Sequence, residues 1–214
     1  MALLVRDNER TKVYVQPFWT ALRDLPRPYL RFLGGAGLFG LGDFSHTLLI
    51  LAATQWLAPH AGVVRAGQIA ALLYVLRNAL YAMSAYPTGA LADRMNKRKL
   101  LAAGYALGGA TAFLAMAIFA AGEHSIGILA ALFALDGIYI GMEDALEGAI
   151  PADLVPGEKR GTAYGLMGCV NGIGDLVASA MVGTVWTLAS PVWAFLAAGV
   201  LMAAGAVVTA ITSV

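Results

Sequence analysis

Charged residues, histidine and cysteine are all scarce in this sequence, and each shortage excludes something. Only 13% of its 214 residues are Asp, Glu, Lys or Arg, while 59% are hydrophobic. An average soluble domain carries about 25% charged residues, so this chain has too little polar surface to face water all round. The single cysteine, Cys169, excludes a disulfide within the chain and, set in an apolar stretch, argues against a redox or metal role. The three histidines, His46, His60 and His124, are too scattered to form a metal cluster, and no cofactor is expected. There is no G-x-S-x-G element and no ATP-binding motif. Ser45 and His46 are adjacent and therefore point apart on a helix, unlike the separated pair an intramembrane serine protease needs. An enzyme is not expected. The net charge of +1 is carried in short loops and a tail rather than on one basic face, so nucleic acid is not an expected partner. The first 30 residues hold Arg6, Asp7, Glu9, Arg10, Lys12, Arg23, Asp24 and Arg27 and lack the apolar run of a cleavable leader.

What is present is apolar length. A bilayer core about 30 Å thick is crossed by roughly 20 apolar residues in a helix. Six stretches qualify, at 30–57, 68–92, 100–121, 126–150, 162–188 and 192–214. The sequence thus predicts an all-α, multi-pass membrane protein, with residues 1–29 as an N-terminal arm and 30–214 as a six-helix bundle embedded in lipid. The expected separators are short: 58–67 with Pro59, 93–99, 122–125, 151–161 and 189–191.

Orientation follows from lysine and arginine, which stay with the cytoplasm. The arm holds Arg6, Arg10, Lys12, Arg23 and Arg27, with Arg31 at the start of the first span. The loop after the second span holds Arg94, Lys97, Arg98 and Lys99, and the loop after the fourth holds Lys159 and Arg160. The loops on the opposite side hold only Arg65. Twelve of the 14 basic residues fall on one side, so both termini are expected in the cytoplasm and the chain in a cell membrane, the bacterial inner membrane. In the arm, Phe18, Trp19, Leu22 and Leu25 share one helical face behind Pro17. Such a helix either lies flat in the headgroup region with Trp19 as anchor or docks on the protein. Met1–Val5, followed by Arg6-Asp7, reads like the end of a helix.

The ionisable residues inside the spans carry the functional signal. At about 1.5 Å per residue, Asp43 lies about 18 Å into the first span, with His46 one turn on. By the same rise Arg77 and Asp136 are each about 15 Å into the second and fourth spans, and Asp175 about 20 Å into the fifth. The third and sixth spans have no such residue. A mid-span Asp or Arg costs about 2.5–3.5 kcal/mol on insertion scales, and such residues face a bundle interior or a wet cavity. A cavity carrying a substrate or ion is therefore expected from Asp43, His46, Arg77, Asp136, Asn171 and Asp175. The bland alternative is a set of ion pairs between helices, Arg77 with Asp136 for instance. Asp43 and His46, three apart on one face, could exchange a proton, with Arg77 or Asp175 as counter-partner. A static hydrogen bond is the alternative there. Glu143, Asp144 and Glu147 form an acidic cluster towards the cytoplasmic end of the fourth span, where they either serve the path or meet interfacial water and basic loops. Gly34, Gly35, Gly37, Gly40 and Gly42 in the first span, and Gly165, Gly168, Gly172 and Gly174 in the fifth, suit close helix packing or bending.

Between the second and third spans runs Gly89-Ala-Leu-Ala-Asp-Arg-Met-Asn-Lys-Arg-Lys99. This resembles the signature loop of the major facilitator superfamily, G-x-L-a-D-R-x-G-R-R/K. Gly89, Leu91, Asp93, Arg94, Arg98 and Lys99 stand at matching or equivalent positions. Asn96 replaces a glycine, and a left-handed turn is expected to survive on asparagine. Lys97 replaces an arginine. Pro151–Gly165 looks like the loop before the penultimate helix of that family's C-terminal half, and Gly42–Leu51 like the half's opening helix. The resemblance covers Leu22 to the C-terminus.

It implies one half of a twelve-helix transporter, built as a three-plus-three repeat, whose first, second, fourth and fifth helices line the cavity or the interface between halves. Gly89–Gly104 and Gly183–Gly199, each running from a span end into Ala-Ala-Gly, agree with such a repeat. The implied function is secondary transport of a small solute or ion by alternating access, as a homodimer or with a second six-helix half. A non-transporting subunit or fragment is the alternative. Asp93 is expected to hydrogen-bond a helix end or Arg94 and Arg98, and with Gly89 to gate one closed state.

Overall fold

The computed structural model describes residues 18–122 and 125–212. Much of the arm, including Met1–Val5, Arg6, Arg10 and Lys12, lies outside the described residues, as does His124. Every regular element among the described residues is helical. A short α1 (Phe18–Arg23) precedes α2 (Arg27–Gly40), α3 (His46–Ala61), α4 (Val63–Ala92), α5 (Lys97–Ala121), α6 (Ile126–Leu154), α7 (Arg160–Leu188) and α8 (Pro191–Ile211), with one 3-10 turn at Gly157–Lys159 before α7. Five helices are long and apolar enough to cross a membrane: α4, α5, α6, α7 with its leading turn, and α8.

The first expected span is not continuous. It is divided into α2, of 14 residues, and α3, of 16, each shorter than a bilayer needs. The break has local causes. A side chain on Gly42 would lie 2.5 Å from the Ala198 carbonyl oxygen, so the chain runs against the backbone of α8 there. Ser45 then caps α3, its hydroxyl accepting from the Thr47 N–H at 3.3 Å, while its own N–H donates to Ser179 Oγ at 3.0 Å. Asp43 therefore stands in an irregular segment rather than on a helix face.

Two further expectations change. The loop placed at 58–67 is helical except for Gly62, whose φ of 77° reverses the chain between α3 and α4. The boundary at 29/30 falls inside α2, because the end of the arm is part of the core. Leu25 is buried, and the fully buried Tyr29 donates its hydroxyl to the Ala163 carbonyl at 2.7 Å. Lys159 Nζ lies 3.5 Å from Asp24. Residues 24–29 dock on the protein; the side chains of Phe18 and Trp19 lie outside the described residues.

Glycine sets the closest helix crossings. A Cβ on Gly137 would collide with the Arg77 carbonyl oxygen, and one on Gly141 would sit 2.7 Å from that of Tyr81, so α6 lies backbone to backbone on α4. Gly40 and Gly174 do the same for α2 and α7. Packing is thus the role of those glycines, whereas a Cβ on Gly34, Gly165, Gly168 or Gly172 would meet only open space.

Burial is uneven. Of the most apolar stretch of each helix, 56% is buried in α5 but only 17% in α4 and 22% in α7. Two helices therefore present largely uncovered faces.

One end of the bundle is basic. Lys97 at the start of α5 pairs with Asp153 near the end of α6 at 2.6 Å, and Arg98 donates to the Thr212 carbonyl at 3.2 Å. With the Lys159–Asp24 contact, these bring the end of the arm, both basic loops and the end of α8 to the same side.

Candidate functional site: an acidic cavity at a broken helix

Arg77 and Asp136 meet where α4 and α6 cross. Arg77 Nε donates to Asp136 Oδ2 at 2.8 Å, and both residues are buried. This is the interhelical ion pair held as the bland alternative, and for these two residues it is what the structure contains. His46, the first residue of α3, joins them: its Nε2 lies 2.7 Å from Arg77 Nη2 and its Nδ1 3.6 Å from Asp136 Oδ2. Arginine only donates, so Nε2 accepts, and the imidazole is neutral with its proton on Nδ1. The expected Asp43–His46 partnership is absent. With Asp43 in the helix break, its Oδ1 accepts instead from the Tyr139 hydroxyl at 2.9 Å.

The acidic cluster of α6 divides by helix face. Glu143 and Glu147 point inward and are buried, while Asp144 is exposed and accepts from the Tyr81 hydroxyl at 2.9 Å. Glu147 accepts from Tyr105 and, at 2.6 Å, from Asn171 Nδ2. Glu143 Oε2 is buried without a hydrogen-bond partner. Among the described residues no salt bridge reaches any of the three. Of the basic loops, one alternative for this cluster beside interfacial water, Lys97 pairs with Asp153 and Lys159 with Asp24 instead.

Asp43, His46, Glu143, Asp144, Asn171 and Asp175 line one cavity of about 320 Å³, together with Gly40, Phe44, Ser45 and Ile140. Six of the side chains singled out in the sequence thus converge from the break, α3, α6 and α7. Arg77 and Asp136 stand behind the wall and reach the cavity only through His46.

The signature loop builds a second cavity, of about 410 Å³, lined by Asp93, Asn96, Lys97, Arg98 and Asp153. Its contacts differ from those expected. Asp93 makes no side-chain hydrogen bond or ion pair among the described residues; the charged link is Lys97–Asp153. Arg98 spans to Thr212, Arg94 is exposed, and a Cβ on Gly89 would meet open space. Asn96 is not left-handed, having φ −67° and ψ 109°. Its side chain accepts from the N–H groups of Arg98 and Lys99 at 3.0 and 3.2 Å, as an N-cap does. Asn96→Ala should therefore cost about 1 kcal/mol in a detergent unfolding titration, and Asn96→Gly a few tenths. A gain in stability for Asn96→Gly would contradict the cap.

The tyrosines were not found by sequence reasoning. Tyr81, Tyr105 and Tyr139 each hold a carboxylate. A signal existed: membrane tyrosines favour the interfaces, whereas Tyr139 lies three residues after Asp136 and four before Glu143, on their side of α6. Tyr105 also qualifies the expectation for the third span, since through it α5 reaches one of the buried carboxylates, Glu147.

A family model described as Major Facilitator Superfamily matches residues 32–213. An uncharacterized MFS-type transporter of Methanocaldococcus jannaschii is 32% identical over 184 residues, which is 86% of this chain and 44% of that protein. The chain thus spans less than half the length of this relative.

Proposed function

Since this chain belongs to the major facilitator superfamily and is a multi-pass membrane protein, we propose that it forms one six-span half of a secondary transporter that moves a small solute by alternating access. The observation that carries the reading is the acidic cavity opening at a helix break. Discontinuous helices at mid-membrane are where transporters of this kind bind cargo, and irregular backbone at that depth is tolerated only beside a cavity or inside protein. In this reading α2 and α3 together make the sixth crossing. The basic end, with both termini, faces the cytoplasm by the positive-inside rule, and the cell membrane is the location.

The uncovered faces of α4 and α7, and the open Gly165, Gly168 and Gly172, support a second half seated there, either another copy or a partner of the same fold. The greater length of the archaeal relative agrees with two halves. Transport, not catalysis, is the activity.

Asp175→Cys in a Cys169→Ser background tests alternating access. The introduced thiol should react with an impermeant maleimide from either side of sealed, oriented vesicles. Reaction from one side alone under all conditions rejects alternating access and leaves a non-transporting subunit.

A further inference from the structure

Resting on the transport reading, we propose that the cavity takes a small organic cation, an ammonium or guanidinium group carried on an apolar body.

The charge lining the cavity points one way. Asp43, Glu143, Asp144 and Asp175 bring four carboxyl groups to its wall, and no lysine or arginine lines it. The nearest cation, Arg77, is already committed to Asp136 and to His46 Nε2. His46, the one basic residue on the wall, is neutral by that same contact. The donors that do reach the carboxylates are tyrosine hydroxyls, Tyr139 on Asp43 and Tyr81 on Asp144. A hydroxyl satisfies a lone pair without cancelling charge. The start of α3 contributes a helix-terminal charge of only about +0.5. No base on the wall is left to pair with an anionic cargo.

A second observation is independent of the charge count. Glu143 is 7% exposed, lines the cavity, and its Oε2 has no hydrogen-bond partner. A buried acceptor left unmade is costly, and an N–H of a bound cation supplies what is missing. Phe44 and Ile140 give the apolar wall, and about 320 Å³ is at the small end of organic ligand sites. Among the described residues no three His, Cys, Asp or Glu side chains converge tightly enough to hold a metal ion. That favours an organic cation over a bare one.

The test is equilibrium binding to the full chain in lipid nanodiscs, followed by dialysis and by thermal shift. The probes are methylammonium, benzylammonium and benzylguanidinium, with ethylbenzene as the neutral isostere of benzylammonium and benzoate as an anion. At least one cation should bind saturably, and neither control should. Glu143→Gln and Asp43→Asn, which keep side-chain volume, should each weaken that binding about tenfold or more. Glu158→Gln, in the exposed turn before α7, should bind as wild type. The proposal is overturned if no cation binds saturably, if benzoate or ethylbenzene binds as well, if both variants bind like wild type, or if proton uptake alone is seen. The measurement needs no flux. Cation binding with one-sided Asp175→Cys labelling would remove the transport reading and leave the ligand class, and two-sided labelling without cation binding would do the reverse.

Discussion

Asp136→Ala should destabilise the protein by about 3–5 kcal/mol, because it leaves the Arg77 guanidinium buried without its counter-charge. Both partners are buried and 2.8 Å apart, so solvent screening does not soften the loss. The measurement is a reversible unfolding titration in mixed detergent, run beside Asp24→Ala, whose pair with Lys159 is partly exposed and worth at most about 1 kcal/mol. The double replacement Arg77→Met with Asp136→Leu should recover most of the loss, since apolar residues of similar volume carry no desolvation cost. About 1 kcal/mol should persist, because His46 Nε2 then loses its donor. If Asp136→Ala unfolds like wild type, the pair does not hold α4 to α6.

Gly137→Ala should also destabilise, by about 1–3 kcal/mol, although alanine is the better helix former by about 1 kcal/mol. The added methyl would collide with the Arg77 carbonyl oxygen and lie 3.2 Å from the Tyr81 nitrogen, all of it backbone that cannot swing aside. The two helices must part, and the Arg77–Asp136 contact parts with them. The losses from Gly137→Ala and Asp136→Ala should therefore fall short of additivity by more than about 0.5 kcal/mol. Gly172→Ala is the contrast. Its methyl meets open space within the chain, so the same substitution should be neutral or stabilise by up to about 1 kcal/mol. Unfolding titrations of the three variants decide the matter; equal losses at Gly137 and Gly172 would mean that helix spacing is not set by the glycine contact.

Helix existence was legible because apolar length is a local property. The spans at 100–121, 126–150 and 162–188 match α5, α6 and α7 to within a few residues, apart from the longer end of α6. The residues of the cavity were legible for a related reason: an ionisable group at mid-span is costly wherever it points, so its presence alone marks an interior. Partners were less legible. A spacing argument that assumes an unbroken helix pairs Asp43 with His46. The structure gives Asp43 to Tyr139 and His46 to Arg77, from chain positions far away. Tyrosine escaped notice because its hydroxyl costs little in lipid and leaves no mark in a charge pattern.

Residue order alone is enough to make the chain helical and apolar enough to cross a membrane several times, to say which loops are basic, and to mark the side chains that must avoid lipid. These follow from composition along the chain and from the cost of charge in hydrocarbon. The break in the first span, the choice of carboxylates that face a cavity, and the place of Arg77 behind its wall arise from packing in three dimensions. Gly42 looks like any other helix glycine until the Ala198 carbonyl of α8 lies against it. Glu143 and Asp144 are neighbours of one chemistry, and the rotation of α6 buries the first and exposes the second. Contacts between residues distant in the chain set both outcomes, and no local pattern encodes them.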